Sequence, residues 1–258
     1  MKAVRLLAVT ACLCFAVLAY GDEQAVDTTP GPDIDRMTER VLLDACGYLR
    51  SAERFSVNVE ATYEDVLTTG TRVEYSRQAR VVLKRPDRLR IDTESDKGPR
   101  SFYYDAKTVT VYHPDEGIFA VFAAPPTIDA MIDAVEARGV TMPASDLLMN
   151  HPCQALGDHL RTGTYAGRHY LDGNWYHHLL LSTDAVDVQL WVAEGESPEI
   201  HKLVITYTDL PGEPQYRALL SDWDFTPAID AATFTFTPPA DARKVAFLGA
   251  DAAQGGEK

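Results

Sequence analysis

The sequence predicts an α+β protein in which a strongly curved antiparallel sheet is covered on its concave face by an N-terminal helix and by helices from the middle of the chain. Two observations predict this class. Apolar and polar residues alternate with a period of two through most of the chain, which is typical of strands with one buried face. Short connections rich in turn residues separate these segments, and short connections favour antiparallel neighbours.

The composition and charge are those of an acidic globular protein with a core of its own. Of the 258 residues, 46% are hydrophobic and 24% are charged, as in ordinary folded domains. Asp and Glu number 38 against 24 Lys and Arg, which gives a net charge of −14. Because so acidic a surface repels phosphate backbones, we expect no nucleic-acid partner.

The N-terminus predicts export to the periplasm. Basic residues precede an apolar run over residues 6–18 and small residues follow it, as in a secretory signal peptide. The run is shorter than the about 20 apolar residues that span a bilayer. We place cleavage after Ala19, with Gly21 as the alternative, so that residues 1–19 form the signal peptide. Lipoprotein anchoring at Cys12 is less favoured, because few apolar residues precede that cysteine.

Two cysteines, Cys46 and Cys153, remain after the signal peptide is removed. The compartment is oxidising, so the two could form a disulfide. Closing a loop of about 107 residues would stabilise the protein by roughly 4 to 5 kcal/mol in the chain-entropy model. The alternative is that both are small buried apolar residues, and the sequence leaves the two possibilities open.

The first elements of the mature chain are a flexible leader and an amphipathic helix. Residues 20–33 are polar and contain prolines, which predicts a flexible leader. Apolar residues then recur at three-to-four spacing over residues 34–50, which predicts a helix capped by Asp33 or Asp35.

Strands occupy both halves of the remaining chain, with a helical insertion between them. Alternation predicts strands at residues 55–63, 73–83, 89–93, 102–104, 109–112 and 118–122. After the insertion it predicts strands at residues 164–171, 176–181, 186–192, 200–207 and 216–224, and a last short strand at 233–237. Within the insertion, residues 126–160, helical spacing is found at residues 128–138, 144–149 and 152–160.

We expect a single domain over residues 34–247, followed by a disordered tail at residues 248–258. The alternative is a division into two domains near residue 125. Each half would then carry an uncovered sheet, which makes one domain the better interpretation.

No motif in the sequence indicates an enzyme, a cofactor or a metal. Nucleophile-elbow, zinc-protease and phosphate-binding glycine motifs are absent from the sequence. His177 and His178 are adjacent on a predicted strand and therefore point to opposite faces, which prevents them from binding one metal together. His151 and His159 are explained more simply by a solvated helix surface.

A curved sheet with few helices has a wide concave face, and helices that do not fill this face leave a cavity. The candidate cavity and lid residues are the apolar side chains of the predicted inward positions and of the insertion: Val57, Val59, Leu83, Leu89, Ile91, Ile128, Met131, Ile132, Val135 and Leu148. The alternative is a packed, dry core. A cavity of this kind suits an acyl chain, because each methylene that leaves water contributes about 0.8 kcal/mol.

Three segments resemble LolA-like periplasmic carriers of lipoproteins and lipids. Lys84-Arg85-Pro86 resembles their Lys-Arg-Pro turn, Asp105-Ala106-Lys107 their Asp-Gly-Lys hairpin, and residues 230–239 their closing strand. Ala106 departs from the pattern, because it replaces a glycine that readily adopts positive φ. The resemblance covers residues 36–247 and is closest to a branch of predicted exported proteins without an assigned function. It implies an incomplete β-barrel with a helical lid over a hydrophobic cavity.

The resemblance also implies a function. Members of the superfamily bind acyl chains of lipoproteins or other lipids, and one relative senses lipid and restrains a membrane stress regulator. We therefore expect a monomeric, non-enzymatic carrier or chaperone for a lipid or lipoprotein acyl chain. The alternative is a cell-envelope sensor that binds a membrane regulatory protein.

Arg85 and the insertion are the candidate moving parts. Alternation from Leu83 places Arg85 on the concave face. The resemblance implies that it hydrogen-bonds lid backbone and holds the empty cavity shut, whereas the alternative is a surface arginine at a turn. Residues 126–160 are the predicted lid, and their methionines suit a contact that repacks around different chains. The alternative is a permanently packed helical layer.

Overall fold

A sheet of thirteen strands organises the part of the chain that this computed structural model describes, residues 31–247. In chain order the strands are β1 (Asp33–Ile34), β2 (Arg54–Val66), β3 (Arg72–Lys84), β4 (Arg88–Ser95), β5 (Arg100–Tyr104), β6 (Thr108–His113), β7 (Ile118–Ala123), β8 (Thr162–Leu171), β9 (Asn174–Ser182), β10 (Val186–Ala193), β11 (Ile200–Tyr207), β12 (Gln215–Asp224) and β13 (Arg243–Lys244). The α-helices are α1 (Arg36–Ser51), α2 (Ile128–Glu136) and α3 (Gln154–His159).

The strand order across the sheet is β1-β8-β9-β10-β11-β12-β2-β3-β4-β5-β6-β7-β13. All neighbours are antiparallel except the short outer strands, since β1 pairs in parallel with β8 and β13 with β7. The sheet is therefore two meanders joined where β12 pairs with β2, and it does not close into a barrel. The helical insertion connects β7 to β8, which lie near opposite edges. This architecture confirms the predicted α+β class with a curved, unclosed sheet.

Helix α1 begins where Asp35 caps it. The Asp35 carboxylate accepts hydrogen bonds from the backbone N–H groups of Met37 and Thr38, at 2.9 and 2.8 Å, which satisfies donors that have no partner within the helix. Of the two candidate caps, Asp35 is thus the one used. The apolar stripe of α1, which includes Val41 and Leu49, is buried in the core.

Two predictions about the chain ends need correction. The sequence places Asp33 in the flexible leader, but its N–H donates to the carbonyl oxygen of Arg161 at 2.9 Å and it pairs with β8. The predicted strand at residues 233–237 is instead a single 3-10 turn at Ala231–Phe234. The Asp230 carboxylate accepts hydrogen bonds from the N–H and hydroxyl of Thr233, which favours a turn over a strand. The signal peptide, leader residues 20–30 and the tail at 248–258 lie outside the described residues.

The insertion is less helical than its spacing predicts. Helix α2 ends at Glu136, and the predicted helix at residues 144–149 is only a 3-10 turn at Ser145–Leu147. Cys153, directly before α3, is joined to Cys46 of α1 by a disulfide with a Cα–Cα distance of 5.9 Å. Of the two possibilities that the sequence left open for the cysteines, the structure therefore has the paired one.

Candidate ligand-binding cavity

The concave face of the sheet is a ladder of inward-facing residues that becomes more polar toward one end. Each rung is set by the register of β2, β3, β4 and β5. We call the end of the sheet near the β3–β4 turn the closed end and the opposite end the open end. From the closed end outward, successive rungs are Phe55, Leu83, Leu89 and Tyr104; Val57, Val81, Ile91 and Phe102; Val59, Ala79, Thr93 and Arg100; and Ala61, Arg77 and Ser95. The first two rungs are apolar apart from the hydroxyl of Tyr104, whereas the last two contain arginines and hydroxyls.

An inner cavity of about 260 Å³ lies between the middle rungs and the insertion. Its floor is apolar and includes Val57, Ile91 and Phe102, and β12 contributes Ala218 and Leu220 to its side. Its roof is the segment of residues 140–148, which we name the lid segment.

The residues predicted to line the cavity fall into two groups. Val57, Val59, Ile91, Val135 and Leu148 do line the inner cavity. The other five do not: Leu83, Leu89, Ile128, Met131 and Ile132 are 0% exposed and pack in the hydrophobic core.

Those five residues pack in the core because α2 is fixed to the closed end of the sheet. The N–H of Ile128 donates to the carbonyl oxygen of Pro86 at 2.9 Å, and the hydroxyl of Tyr104 donates to the carbonyl oxygen of Pro125 at 2.6 Å. The apolar stripe of α2 belongs to the same core cluster as Leu83 and Leu89. Helix α2 is thus a packed layer, and the roof of the cavity is the segment that follows it.

A second apolar cavity, of about 530 Å³, lies on the other side of the lid segment. It is lined by β10 and β11, with Val188, Leu190 and Ile205 among its residues. Residues 141–145 and Leu147 line both cavities, so the lid segment is their shared wall.

Arg85 reaches the lid from the β3–β4 turn. Its guanidinium donates hydrogen bonds to the carbonyl oxygens of Leu148, at 2.9 Å, and Leu49, at 3.5 Å, and it lies 5.7 Å from the ring centroid of Phe55. Burial lowers the pKa of Arg85 to about 10, against the opposing effect of the Asp129 carboxylate. The half-buried guanidinium of Arg85 therefore depends on the lid segment for one of its two carbonyl acceptors, the oxygen of Leu148.

Two further links fix the end of the lid segment. The N–H of Asn150 donates to the Asp129 carboxylate at 2.6 Å, and the Asn150 side-chain amide donates to the carbonyl oxygen of Pro86 at 3.2 Å. Shortly after Asn150 in the chain, the Cys46–Cys153 disulfide joins the insertion to α1. Residues 137–149 lie between α2 and these links, and within them Asp146 accepts hydrogen bonds from the N–H groups of Cys153 and Leu156.

Sequence reasoning missed two charged residues of the concave face, Arg77 and Arg100. Both line the inner cavity. The signal was present in β3: Val73, Tyr75, Ala79 and Val81 occupy inward positions, and Arg77 stands between them at the same spacing.

The histidines and carboxylates of the described residues form no metal centre. His177 hydrogen-bonds the Tyr165 hydroxyl through Nδ1 at 2.9 Å, while His178 approaches the Gln189 side chain through Nε2 at 3.2 Å. Within residues 31–247, no group of three or more His, Cys, Asp or Glu side chains is placed to hold an ion.

In the described residues, a curved, unclosed antiparallel sheet therefore carries the segment of residues 140–148 over an apolar cavity. The chain belongs to the DUF2092 family, described as predicted periplasmic proteins, whose model matches residues 38–248. This membership confirms the expected periplasmic location. No curated protein matches the sequence significantly.

Several solved structures resemble the chain at a distance. An uncharacterized conserved protein from Thermus thermophilus is 12% identical, with a TM-score of 0.48 over 82% of this chain and 100% of that one. Lipoprotein LppX from Mycobacterium tuberculosis is 13% identical, with a TM-score of 0.43 over 76% of this chain and 100% of that one. A LolA superfamily protein from Nitrosomonas europaea is 12% identical, with a TM-score of 0.42 over 77% of this chain and 97% of that one.

Among the described residues, no helix combines the length and the apolar character needed to cross a bilayer.

Proposed function

We propose that this protein is a non-enzymatic periplasmic carrier or chaperone that shields the acyl chain of a lipid or lipoprotein in its inner cavity. One observation carries the proposal: apolar side chains of the sheet and of the lid segment surround a cavity that core residues do not fill. An acyl chain fits such walls, because each methylene removed from water contributes about 0.8 kcal/mol, or roughly 8 kcal/mol for ten methylenes before the cost of ordering the chain.

The lid segment makes the available volume adjustable. The inner cavity, at about 260 Å³, is smaller than most small-molecule sites, which run from about 300 to 1,000 Å³. Displacement of residues 141–145 would join it to the neighbouring cavity of about 530 Å³. Met142, which lines both cavities, has the flexible side chain that such repacking requires.

Arg85 is the proposed latch of the lid segment. With the lid closed, its guanidinium is hydrogen-bonded to Leu148, and opening the lid would remove that acceptor. A charged group without its acceptor is costly to leave buried, so the closed state is favoured while the cavity is empty. A ligand in the inner cavity that contacts the lid segment would compensate for the hydrogen bond between Arg85 and Leu148 that is lost when the lid opens.

The proposal is tested by uptake of a fluorescent fatty acid by delipidated protein. Ala79→Phe places a ring in the inner cavity and should abolish saturable uptake, whereas Gln78→Phe places the same ring on the exposed outer face of β3 and should leave it unchanged. Circular dichroism and thermal unfolding establish that both variants fold. A folded wild-type protein that takes up no fatty acid contradicts the proposal.

The second candidate is a cell-envelope module that binds a membrane protein, and one surface favours it. Tyr170 and Trp175, on the β8–β9 hairpin, are 64% and 48% exposed, with their rings 5.3 Å apart edge to face. Exposed aromatic pairs are typical anchors of protein interfaces. Stoichiometric recovery of one inner-membrane protein, lost in a Tyr170→Ala, Trp175→Ala variant, would support this candidate.

Native mass spectrometry of protein purified from its own periplasm separates the two candidates. A co-purifying lipid supports the carrier and gives the mass of its ligand. A lipid-free protein recovered with a stoichiometric membrane protein supports the sensor.

A further inference from the structure

The open end of the inner cavity carries positive charge that the described residues do not neutralise. Arg77 is half-buried and lines both the inner cavity and an outer groove of about 880 Å³. Arg100 belongs to the neighbouring rung and also lines the inner cavity, although its side chain is exposed. In residues 31–247, neither guanidinium is paired with a carboxylate, although the chain has 38 acidic residues against 24 basic ones.

The carboxylates that line the outer groove together with Arg77 are already paired with other cations. Glu64 is paired with Arg72 at 3.6 Å and with Arg217 at 3.5 Å. Asp65 is paired with Lys97 at 3.4 Å. Arg77 instead lies over an aromatic ring, with its guanidinium carbon 5.2 Å from the centroid of Tyr63.

The position of Arg77 within β3 places this charge on the face of the sheet that lines the inner cavity. Arg77 pairs with Ala61 of β2 and Ser95 of β4, and the inward neighbours of Arg77 on its own strand are Tyr75 and Ala79. A half-buried guanidinium at an inward position, without a carboxylate partner, is stabilised when an anion meets it. The arginines lie at the open end, and the apolar rungs of Ile91 and Phe102 lie behind them.

We propose that the ligand is an anionic amphiphile whose carboxylate or phosphate head group binds Arg77, with Arg100 in support, while its acyl chain points toward the closed end. This inference rests on the carrier function proposed above. It adds an orientation, with the tail deep and the head at the open end. It also adds a ligand class, because an anionic head group would neutralise the charge of Arg77 and Arg100, which a neutral lipid would not.

The experiment compares amphiphiles that share one acyl chain and differ in the head group. Delipidated protein is loaded with the neutral probe N-phenyl-1-naphthylamine, which palmitoyl lysophosphatidic acid, palmitate and monopalmitoylglycerol then displace. We expect both anionic lipids to bind at least about ten-fold more tightly than the neutral one, as for a charge-assisted hydrogen bond. The ratio between the two anionic lipids shows whether phosphate or carboxylate is preferred.

Variants at two arginines of β3 test whether Arg77 causes the preference for anionic lipids. Arg77→Gln should remove the preference for anionic lipids and leave affinity for monopalmitoylglycerol unchanged, and Arg77→Lys should retain part of the preference. Arg80→Gln is the matched control, because Arg80 is exposed on the opposite face of β3, where it hydrogen-bonds Asn58 and Ser56. It should keep the wild-type preference.

Two outcomes overturn the head-group inference while the carrier function stands. One is equal affinity of the wild-type protein for charged and neutral lipids. The other is a preference that survives in folded Arg77→Gln protein. If the wild-type protein binds neither the probe nor any of the three lipids, the carrier function fails as well.

Discussion

The guanidinium of Arg85 donates a hydrogen bond of 2.9 Å to the carbonyl oxygen of Leu148, which ties the β3–β4 turn to the lid segment. Replacing Arg85 by Leu removes this donor, and hydrogen bonds to charged groups contribute about 1.5 to 3 kcal/mol. We expect ligand release to accelerate by about ten-fold or more, measured by stopped-flow fluorescence. Arg88→Leu is the control, since Arg88 lies in the same turn region and forms its ion pair with Asp87 rather than a hydrogen bond to the lid segment. Unchanged affinity and release in Arg85→Leu would refute the latch.

The disulfide should contribute strongly to stability. It closes a loop of 107 residues, and the chain-entropy model assigns such a loop about 4 to 5 kcal/mol. A Cys46→Ala, Cys153→Ala variant should therefore unfold at much lower urea concentration than the wild type, as followed by circular dichroism. Reduced wild-type protein should match the variant. A difference below about 1 kcal/mol would mean that strain or residual structure cancels the effect.

Hydrogen exchange should divide the predicted lid into two parts. The side chains of Ile128, Met131 and Ile132 in α2 are 0% exposed, whereas no residue of the 3-10 turn at Ser145–Leu147 is buried. We therefore expect residues 137–149 to exchange faster than α2 and the central strands in empty protein, and to slow when lipid is added. If residues 137–149 are as protected as β2 and β3 without ligand, the gated cavity must be abandoned.

Folding stability should fall as the medium becomes mildly acidic. Burial lowers the pKa of His178, with further lowering by His169 and Lys202 and an opposing effect of the hydrogen bond to Gln189. In the unfolded chain, His178 takes up a proton near the ordinary histidine pKa of about 6.5, whereas in the folded protein it takes up the proton only at lower pH. Stability is therefore lost as the pH falls below about 6.5.

A single substitution tests this pH dependence. His178→Phe keeps a ring against Trp191, whose centroid lies 4.0 Å from that of His178, and removes the titrating group. Urea unfolding of the variant at pH 7, 6 and 5 should show a smaller loss of stability than the wild type. Parallel curves for the two proteins would contradict the assignment.

Ala106 should be a site of backbone strain. Its φ is 72°, in the left-handed region that costs an L-residue about 1 to 2 kcal/mol. Ala106→Gly relieves that strain at the cost of about 0.5 to 1 kcal/mol of unfolded-state entropy, so we expect a net gain of up to about 1.5 kcal/mol. Ala106→Ser keeps the Cβ atom and should give no gain. Chemical unfolding of the three proteins decides between these expectations.

Period-two alternation predicted the strands well because one face of the sheet packs against a core and the other meets water. Val57 and Ile91 were therefore placed correctly on the concave face. The same rule could not separate cavity from core: Leu83 and Ile91 both point inward, but Leu83 is completely buried in the core, whereas Ile91 is partly buried and lines the inner cavity. That distinction depends on where α2 docks, which local periodicity does not encode.

The charged part of the candidate site was missed for a different reason. An apolar pattern selects apolar residues, so the search for inward positions on β3 passed over Arg77 although its spacing is correct. Within the insertion, residues 144–149 were predicted as helical, yet Ala144 adopts a φ of 59° and stops regular helix after α2. Short segments of this kind take their conformation from tertiary contacts rather than from their own propensity.

The pairing of β12 with β2 has a consequence for how the protein acquires its binding site. Most neighbouring strands of the sheet are also neighbours in sequence, so each meander can form from local hairpins, whereas the β12–β2 junction joins segments far apart in the chain. Closing so long a loop is slow and makes this junction a late folding event. Since β2 and β12 both contribute walls to the inner cavity, neither meander alone contains the site. The inner cavity would therefore form only after both meanders have folded and paired.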